Sequence, residues 1–172
     1  MNRLVWCALL AAFGLLTTGL RAETKVTVSD THLCCGQCLK GVDAALKDVA
    51  GVKHTSSQSA KTIELVAESD AAAQKAIDAL AAAGFYGKLD NQAVKFKDVA
   101  GAEGKVERAE LAGVHNCCGA CTQAIKKAIK VDGVVADTVK PKAESFVVEG
   151  NFDLAAVVKG LLDAGFYVQV KK

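Results

Sequence analysis

Cysteine is concentrated in two short blocks with the same pattern. Six of the seven cysteines lie at residues 32–38 and 115–121, and both blocks read His-x-Cys-Cys-Gly-x-Cys. Thiolates are polarisable, soft ligands that favour Cu(I), Hg(II), Cd(II) and Zn(II) over hard, oxygen-seeking ions. A Cys-x-x-Cys at a helix start places both sulfurs on one side of the loop, and the helix dipole lowers the thiol pKa. The two blocks therefore predict soft-metal sites.

The rest of the chain after residue 22 is also duplicated. Gly51 and the following Val recur at Gly133, and the Ala-Gly-Phe-Tyr at residues 83–86 recurs at 164–167. The order of these features is kept while their spacing drifts slightly, as small loop changes in a duplicated domain would produce. We interpret the chain as two repeats. We expect the Phe-Tyr pairs to belong to the core of each repeat.

Hydrophobic periodicity predicts strand, helix, strand, strand, helix, strand in each repeat. In the first repeat, alternation at Val26 and Val28 precedes the cysteine block, and Leu39, Val42 and Leu46 then recur at helical spacing. A second helix is predicted to be capped by Asp70 and to end at Gly84. The second repeat has the same order of patterns. The fold class predicted is α+β.

Four segments follow from these patterns. Residues 1–22 form a signal peptide, 23–90 a first domain, 91–104 a linker and 105–172 a second domain. The start has a positive charge at Arg3, an uncharged run from Leu4 to Leu20 and the small residue Ala22 before the next charges. We expect cleavage after Ala22, which leaves no membrane segment and makes the protein periplasmic or secreted. Residues 94–96 could prolong the first domain's last strand.

The charge balance argues against nucleic acid as a partner. Without Arg3 and Arg21 the chain has a formal charge near zero, and its Lys residues are spread among Asp and Glu. A protein that binds phosphates needs a clustered basic face. We therefore predict no nucleic-acid partner.

Each repeat resembles the heavy-metal-associated domain of copper metallochaperones, metal-pumping P-type ATPases and periplasmic mercury-binding proteins. The resemblance implies a ferredoxin-like βαββαβ fold and a metal-binding Cys-x-x-Cys between the first strand and the first helix. By position, that pair is Cys35 and Cys38 in the first repeat, and Cys118 and Cys121 in the second. It also implies partners such as a metal-transporting ATPase or another domain of this kind.

Both blocks depart from that family in the same way. They lack the usual Met before the first Cys and add an imidazole and a third thiol, His32 and Cys34 in the first block and His115 and Cys117 in the second. A Cys₃His set would suit tetrahedral Zn(II). In an extended backbone Cys34 and Cys35 point to opposite sides, so Cys34 joins the site only if the loop curls. Otherwise it could complete a trigonal Cu(I) site, bridge to the second domain, or stay free, and the histidines could face solvent.

Three functions remain open from the sequence. The first is an exported protein that sequesters or hands on a soft metal ion, Cu(I), Zn(II) or Hg(II), with one ion per repeat. The second is a thiol–disulfide oxidoreductase, because exported Cys-x-x-Cys pairs can be redox active. The third is a structural role as disulfide staples, although three cysteines per repeat leave one unpaired. No Ser-His-Asp set or phosphate-binding loop is present in the sequence, so we favour the metal-binding protein and predict that it is not an enzyme.

Overall fold

The computed structural model describes residues 23–171, so the predicted signal peptide at residues 1–22 lies outside the described residues. Each repeat has four strands and two helices in the predicted order. The elements of the first repeat are β1 (Thr24–Ser29), α1 (Gly36–Leu46), β2 (Val52–Ser57), β3 (Thr62–Ala67), α2 (Asp70–Ala82) and β4 (Lys88–Leu89). Those of the second are β5 (Lys105–Ala112), α3 (Gly119–Ala128), β6 (Val134–Asp137), β7 (Ser145–Asp153), α4 (Leu154–Asp163) and β8 (Gln169–Lys171).

The two sheets have the same topology. Their strand orders are β2-β3-β1-β4 and β6-β7-β5-β8, and the paired strands are antiparallel. Two helices joined to such a sheet in the order βαββαβ make a ferredoxin-like fold. The predicted fold class of two tandem ferredoxin-like domains is therefore confirmed.

Apolar residues at the predicted spacings form the core of each repeat. In the first, Val42 and Leu46 of α1 and Ile77 of α2 are buried together with Val26 and Leu65 of the sheet. Their burial removes apolar surface from water and is the main force that holds the helices against the sheet. Within residues 23–171, no helix is long and apolar enough to span a membrane.

The second helix begins one residue earlier than we predicted. Ser69, not Asp70, is its N-cap, because the Ser69 hydroxyl accepts a hydrogen bond from the backbone N–H of Ala72 at 3.2 Å. The Asp70 carboxylate instead accepts one from the Thr24 hydroxyl at 2.6 Å, which joins the start of α2 to β1. The predicted end of the helix at Gly84 agrees with its positive φ of 82°.

Residues 91–104 contain no helix or strand, yet the segment is docked. The Gln74 side chain of α2 accepts from the Lys95 backbone N–H and donates to its carbonyl, both at 2.9 Å, and Val94 is buried. The idea that residues 94–96 prolong the last strand is wrong: they form no strand, and the backbone N–H and carbonyl of Lys95 at their centre are both bonded to this glutamine.

Candidate metal centre

The cysteine loops, residues 32–38 and 115–121, each lead into a helix. Cys35 and Cys118 are the N-cap residues of α1 and α3, with extended backbones at φ −159° and −154°. Cys38 and Cys121 lie in the first turns of these helices and are fully buried. Within each pair the sulfurs are 3.9 Å and 3.7 Å apart, so each Cys-x-x-Cys presents both sulfurs on one side of its loop.

The sulfurs of the two cysteine loops lie against one another. The Cys34 Sγ is 3.5 Å from the sulfurs of both Cys118 and Cys121. The Cys117 Sγ occupies the equivalent place on the other side, 3.6 Å from the Cys38 Sγ. All six cysteines in residues 23–171 are free thiols. The two sites predicted for separate repeats thus meet in one group of sulfurs, which we call the six-sulfur cluster.

The short distances within the six-sulfur cluster describe an octahedron. Its edges measure 3.5 to 4.0 Å between cysteines that are not adjacent in sequence. The edges between sequence neighbours measure no more than 4.8 Å. The opposite corners are Cys34 and Cys117, Cys35 and Cys121, and Cys38 and Cys118.

Cys34 joins its own loop and also bridges to the second repeat. Its sulfur lies 3.6 Å from the Cys38 Sγ, so the loop does curl at this point. A polar side chain from the turn after β2 supports the curl, because Gln58 Nε2 donates to the Cys34 carbonyl at 2.9 Å. In the second repeat the Asn116 amide holds the loop, donating to the Lys140 carbonyl at 2.7 Å. The sequence pattern alone did not reveal this role of Gln58.

The loop histidines do not face solvent. His32 stacks on Phe166 with ring centroids 4.4 Å apart, and His115 stacks on Phe85 at 4.3 Å, each ring pair joining the two repeats. Both Nε2 atoms are buried and have no hydrogen-bond partner within residues 23–171. One His32 ring nitrogen lies within 4.8 Å of the sulfurs of Cys34 and Cys121. The imidazoles therefore line the cluster, as ligands or as N–H donors to sulfur.

The recurring Gly-Phe-Tyr segments connect the repeats through backbone hydrogen bonds. The Tyr167 N–H donates to the Gly84 carbonyl at 3.0 Å and the Tyr86 N–H donates to the Gly165 carbonyl at 3.2 Å. A Cβ on Gly84 would lie 2.2 Å from the backbone nitrogen of His115. Phe85 and Phe166 are buried as we expected, but they are buried at the boundary between repeats. The recurrence of the motif was the available signal, and it did not reveal what the motif contacts.

The thiols are not equivalent electrostatically. A hydrogen bond from the Cys121 thiol lowers the pKa of Cys38, and the same interaction raises the pKa of Cys121, so Cys38 is the thiolate of this pair and Cys121 keeps its proton. A backbone N–H of Cys121 at the start of α3 lowers the pKa of Cys118 to about 6. Burial raises the pKa of Cys34 and Cys117. At neutral pH the six-sulfur cluster therefore holds both thiolates and thiols.

This donor set matches soft ions. It offers six sulfurs and two imidazoles. A hard ion would need carboxylates, and within residues 23–171 the clustered groups include none. His54, which has no counterpart in the second repeat, instead hydrogen-bonds to Asp43 at 2.9 Å.

Comparisons with known proteins add little to this geometry. No family model matches the sequence, and no curated protein matches it. Among solved structures, the chain is similar to the N-terminal soluble domains of Bacillus subtilis CopA, with 19% identity, 88% of this chain and 96% of that chain covered, and a TM-score of 0.32. A second structure, of the water-soluble region of the P-type ATPase CopA from Bacillus subtilis, gives 19% identity, 88% and 93% coverage, and a TM-score of 0.31.

Proposed function

We propose that this chain is an exported, non-enzymatic protein that sequesters Cu(I), or hands it on, through cysteines of both repeats. The observation that carries the proposal is the six-sulfur cluster, in which Cys34 and Cys117 each reach the loop of the other repeat. A structural role for single cysteines would not require free thiols from two repeats to converge at 3.5 to 4.0 Å.

Sulfur ligation supports Cu(I) over the other predicted ions. Thiolates select Cu(I) because both partners are soft, whereas Zn(II) also accepts nitrogen and oxygen ligands and prefers four of them in a tetrahedron. Hg(II) would bind the same thiolates. We name Cu(I) first because the sulfurs are arranged in triangles, which suit its low coordination numbers.

Burial supports sequestration. Cys38 and Cys121 are inaccessible to solvent, and the other four cysteines are only partly exposed. An ion held there is shielded from water and oxidants. Release requires an incoming ligand to reach the partly exposed sulfurs first, and a partner domain of the same fold with its own Cys-x-x-Cys would supply one. An ATPase that pumps metal is the partner class that the family resemblance suggests.

The second candidate function is thiol–disulfide exchange. It is favoured by one observation, the lowered pKa of Cys118, because the thiolate is the attacking species. The mutual shielding of the sulfurs argues against thiol–disulfide exchange, since exchange needs an attacked sulfur that a second protein can approach.

We propose that the exported protein is located in the periplasm or outside the cell, in keeping with the leader-like residues 1–22.

Anaerobic competition between the reduced chain and a Cu(I) chelator tests the function. We expect the chain to bind Cu(I) more tightly than Zn(II). A variant with all six clustered cysteines changed to Ser is the control. Binding no stronger than that control, together with rapid turnover of a disulfide substrate, would favour the oxidoreductase.

A further inference from the structure

The six-sulfur cluster is too large for a single central ion. In an octahedron with edges of 3.5 to 4.0 Å, the centre lies about 2.5 to 2.8 Å from every sulfur, whereas a zinc–thiolate bond is about 2.3 Å. Octahedral coordination by six sulfurs is also not the preference of Cu(I) or Zn(II). An ion bound at the centre would therefore have stretched bonds to every ligand.

The triangular faces have the right size. The centre of a face whose edges are all 3.5 to 4.0 Å lies about 2.0 to 2.3 Å from its three sulfurs, and for a face that includes a sequence-neighbour edge this distance is at most about 2.5 Å; a metal–thiolate bond is roughly 2.3 Å. Alternate faces of an octahedron share corners and no edges, so four ions can each have three sulfurs while every sulfur bridges two ions. One such set of faces is Cys34, Cys35 and Cys38; Cys35, Cys117 and Cys118; Cys38, Cys117 and Cys121; and Cys34, Cys118 and Cys121.

We propose that the two cysteine loops together bind four Cu(I) ions as one Cu₄S₆ cluster, in place of one ion in each repeat. This inference rests on the proposed function and specifies its site. In the fully protonated chain, four Cu(I) ions form twelve Cu–S bonds and displace six thiol protons, which leave to solvent. The product carries a net charge of −2, and neither copper nor sulfur changes oxidation state.

Charge and spacing favour a monovalent ion. Ions at the centres of alternate faces would be about 2.5 Å apart, and the repulsion between two divalent ions at a given distance is four times that between two monovalent ions. The remaining negative charge faces favourable groups. The positive N-terminal ends of α1 and α3 begin at the cysteine loops, and the Nε2 atoms of His32 and His115, which have no hydrogen-bond partner among the described residues, can donate N–H groups.

The test is an anaerobic Cu(I) titration of the reduced chain, read by native mass spectrometry and by X-ray absorption at the copper edge. We expect each chain to bind four Cu(I) ions, with few species that carry one, two or three ions during the titration. Each copper should have three sulfur neighbours and a second copper at a short distance. Two Cu(I) per chain without copper–copper scattering would overturn the cluster and leave the proposed function intact. Absence of copper binding would overturn both.

A Cys34→Ser variant distinguishes the cluster from two separate pairs. Cys34 is a corner of two occupied faces but does not belong to either Cys-x-x-Cys. In the cluster its loss should reduce the bound copper from four ions to two, and Cys117→Ser should do the same. His54→Ala, outside the cluster, should still bind four. An unchanged copper count in Cys34→Ser would overturn the inference. If that variant fails to fold, the copper–copper distance in the unmutated chain distinguishes the cluster from two separate sites.

Discussion

His32 of the first repeat stacks on Phe166 of the second, with ring centroids 4.4 Å apart and planes 29° from parallel. His115 and Phe85 form the reciprocal pair at 4.3 Å and 28°. Each cysteine loop is thus held by an aromatic ring of the other repeat. The two stacks flank the six-sulfur cluster and keep its halves together.

Replacing Phe85 by Leu tests this aromatic contact. The variant keeps an apolar side chain at a fully buried position but loses the stack on His115. Such a stack contributes about 0.5–1.5 kcal/mol to stability beyond the effect of the area that it buries. We expect urea unfolding to show a loss of stability of at least that amount, because buried apolar area is lost as well, and we expect weaker Cu(I) binding. Leu80→Met, also fully buried, is the control. Weaker Cu(I) binding in the control as well would mean that core packing, and not the stack, supports the site.

A methyl group at Gly84 should prevent the repeats from closing. Its Cβ would meet the His115 backbone nitrogen at 2.2 Å, and its φ is +82°. Gly101 is the matched control, because its φ is +76° and an added Cβ would meet no atom of residues 23–171 within 4 Å. Both Ala variants should lose about 1 kcal/mol to backbone strain. Only Gly84→Ala should show a larger radius of gyration in X-ray scattering, and equal radii would contradict the interface.

Cys118 should be the fastest thiol to react with iodoacetamide in the metal-free chain. Its pKa is lowered to about 6, so most of it is thiolate at pH 7, and its reaction should slow as pH falls through 6. The adjacent Cys117 is the internal control, since burial raises its pKa to about 12. Mass spectrometry of the alkylated peptides gives both rates. Faster modification of Cys117 would reverse the assignment of the thiolate.

The metal-free chain should become less stable as pH falls below about 6.5. Burial lowers the pKa of His32, with Lys61 and His115 acting in the same direction and Cys38 opposing them. The unfolded chain therefore takes up the proton first, so stability is greatest above the ordinary histidine pKa of 6.5 and declines below it. Urea unfolding of the unmutated chain and of His32→Gln at pH 7.5 and 5.5 measures this effect. An equal decline in both proteins would assign it to other groups.

Local patterns in the sequence were enough to predict the order of strands and helices in each repeat, and the family resemblance implied the ferredoxin-like fold. Alternation at Val26 and Val28 and helical spacing at Val42 and Leu46 specify elements whose apolar faces must be buried, and the same order occurs twice. The identity of the helix cap was one residue off, because Ser69 and Asp70 are both good capping residues and only the hydrogen bonds distinguish them.

The composition of the site was likewise contained in the sequence, since the cysteine loops and their histidines were identified from type and spacing. Their arrangement was decided by tertiary structure alone. Cys34 and Cys118 are far apart in the chain, and periodicity within a repeat carries no information about how one repeat packs on another. The packing depends on the close approach of Gly84 to the His115 backbone and on the two ring stacks, which are contacts between repeats. The sequence thus determined soft-metal ligands in two loops, and the packing of the repeats made them one cluster.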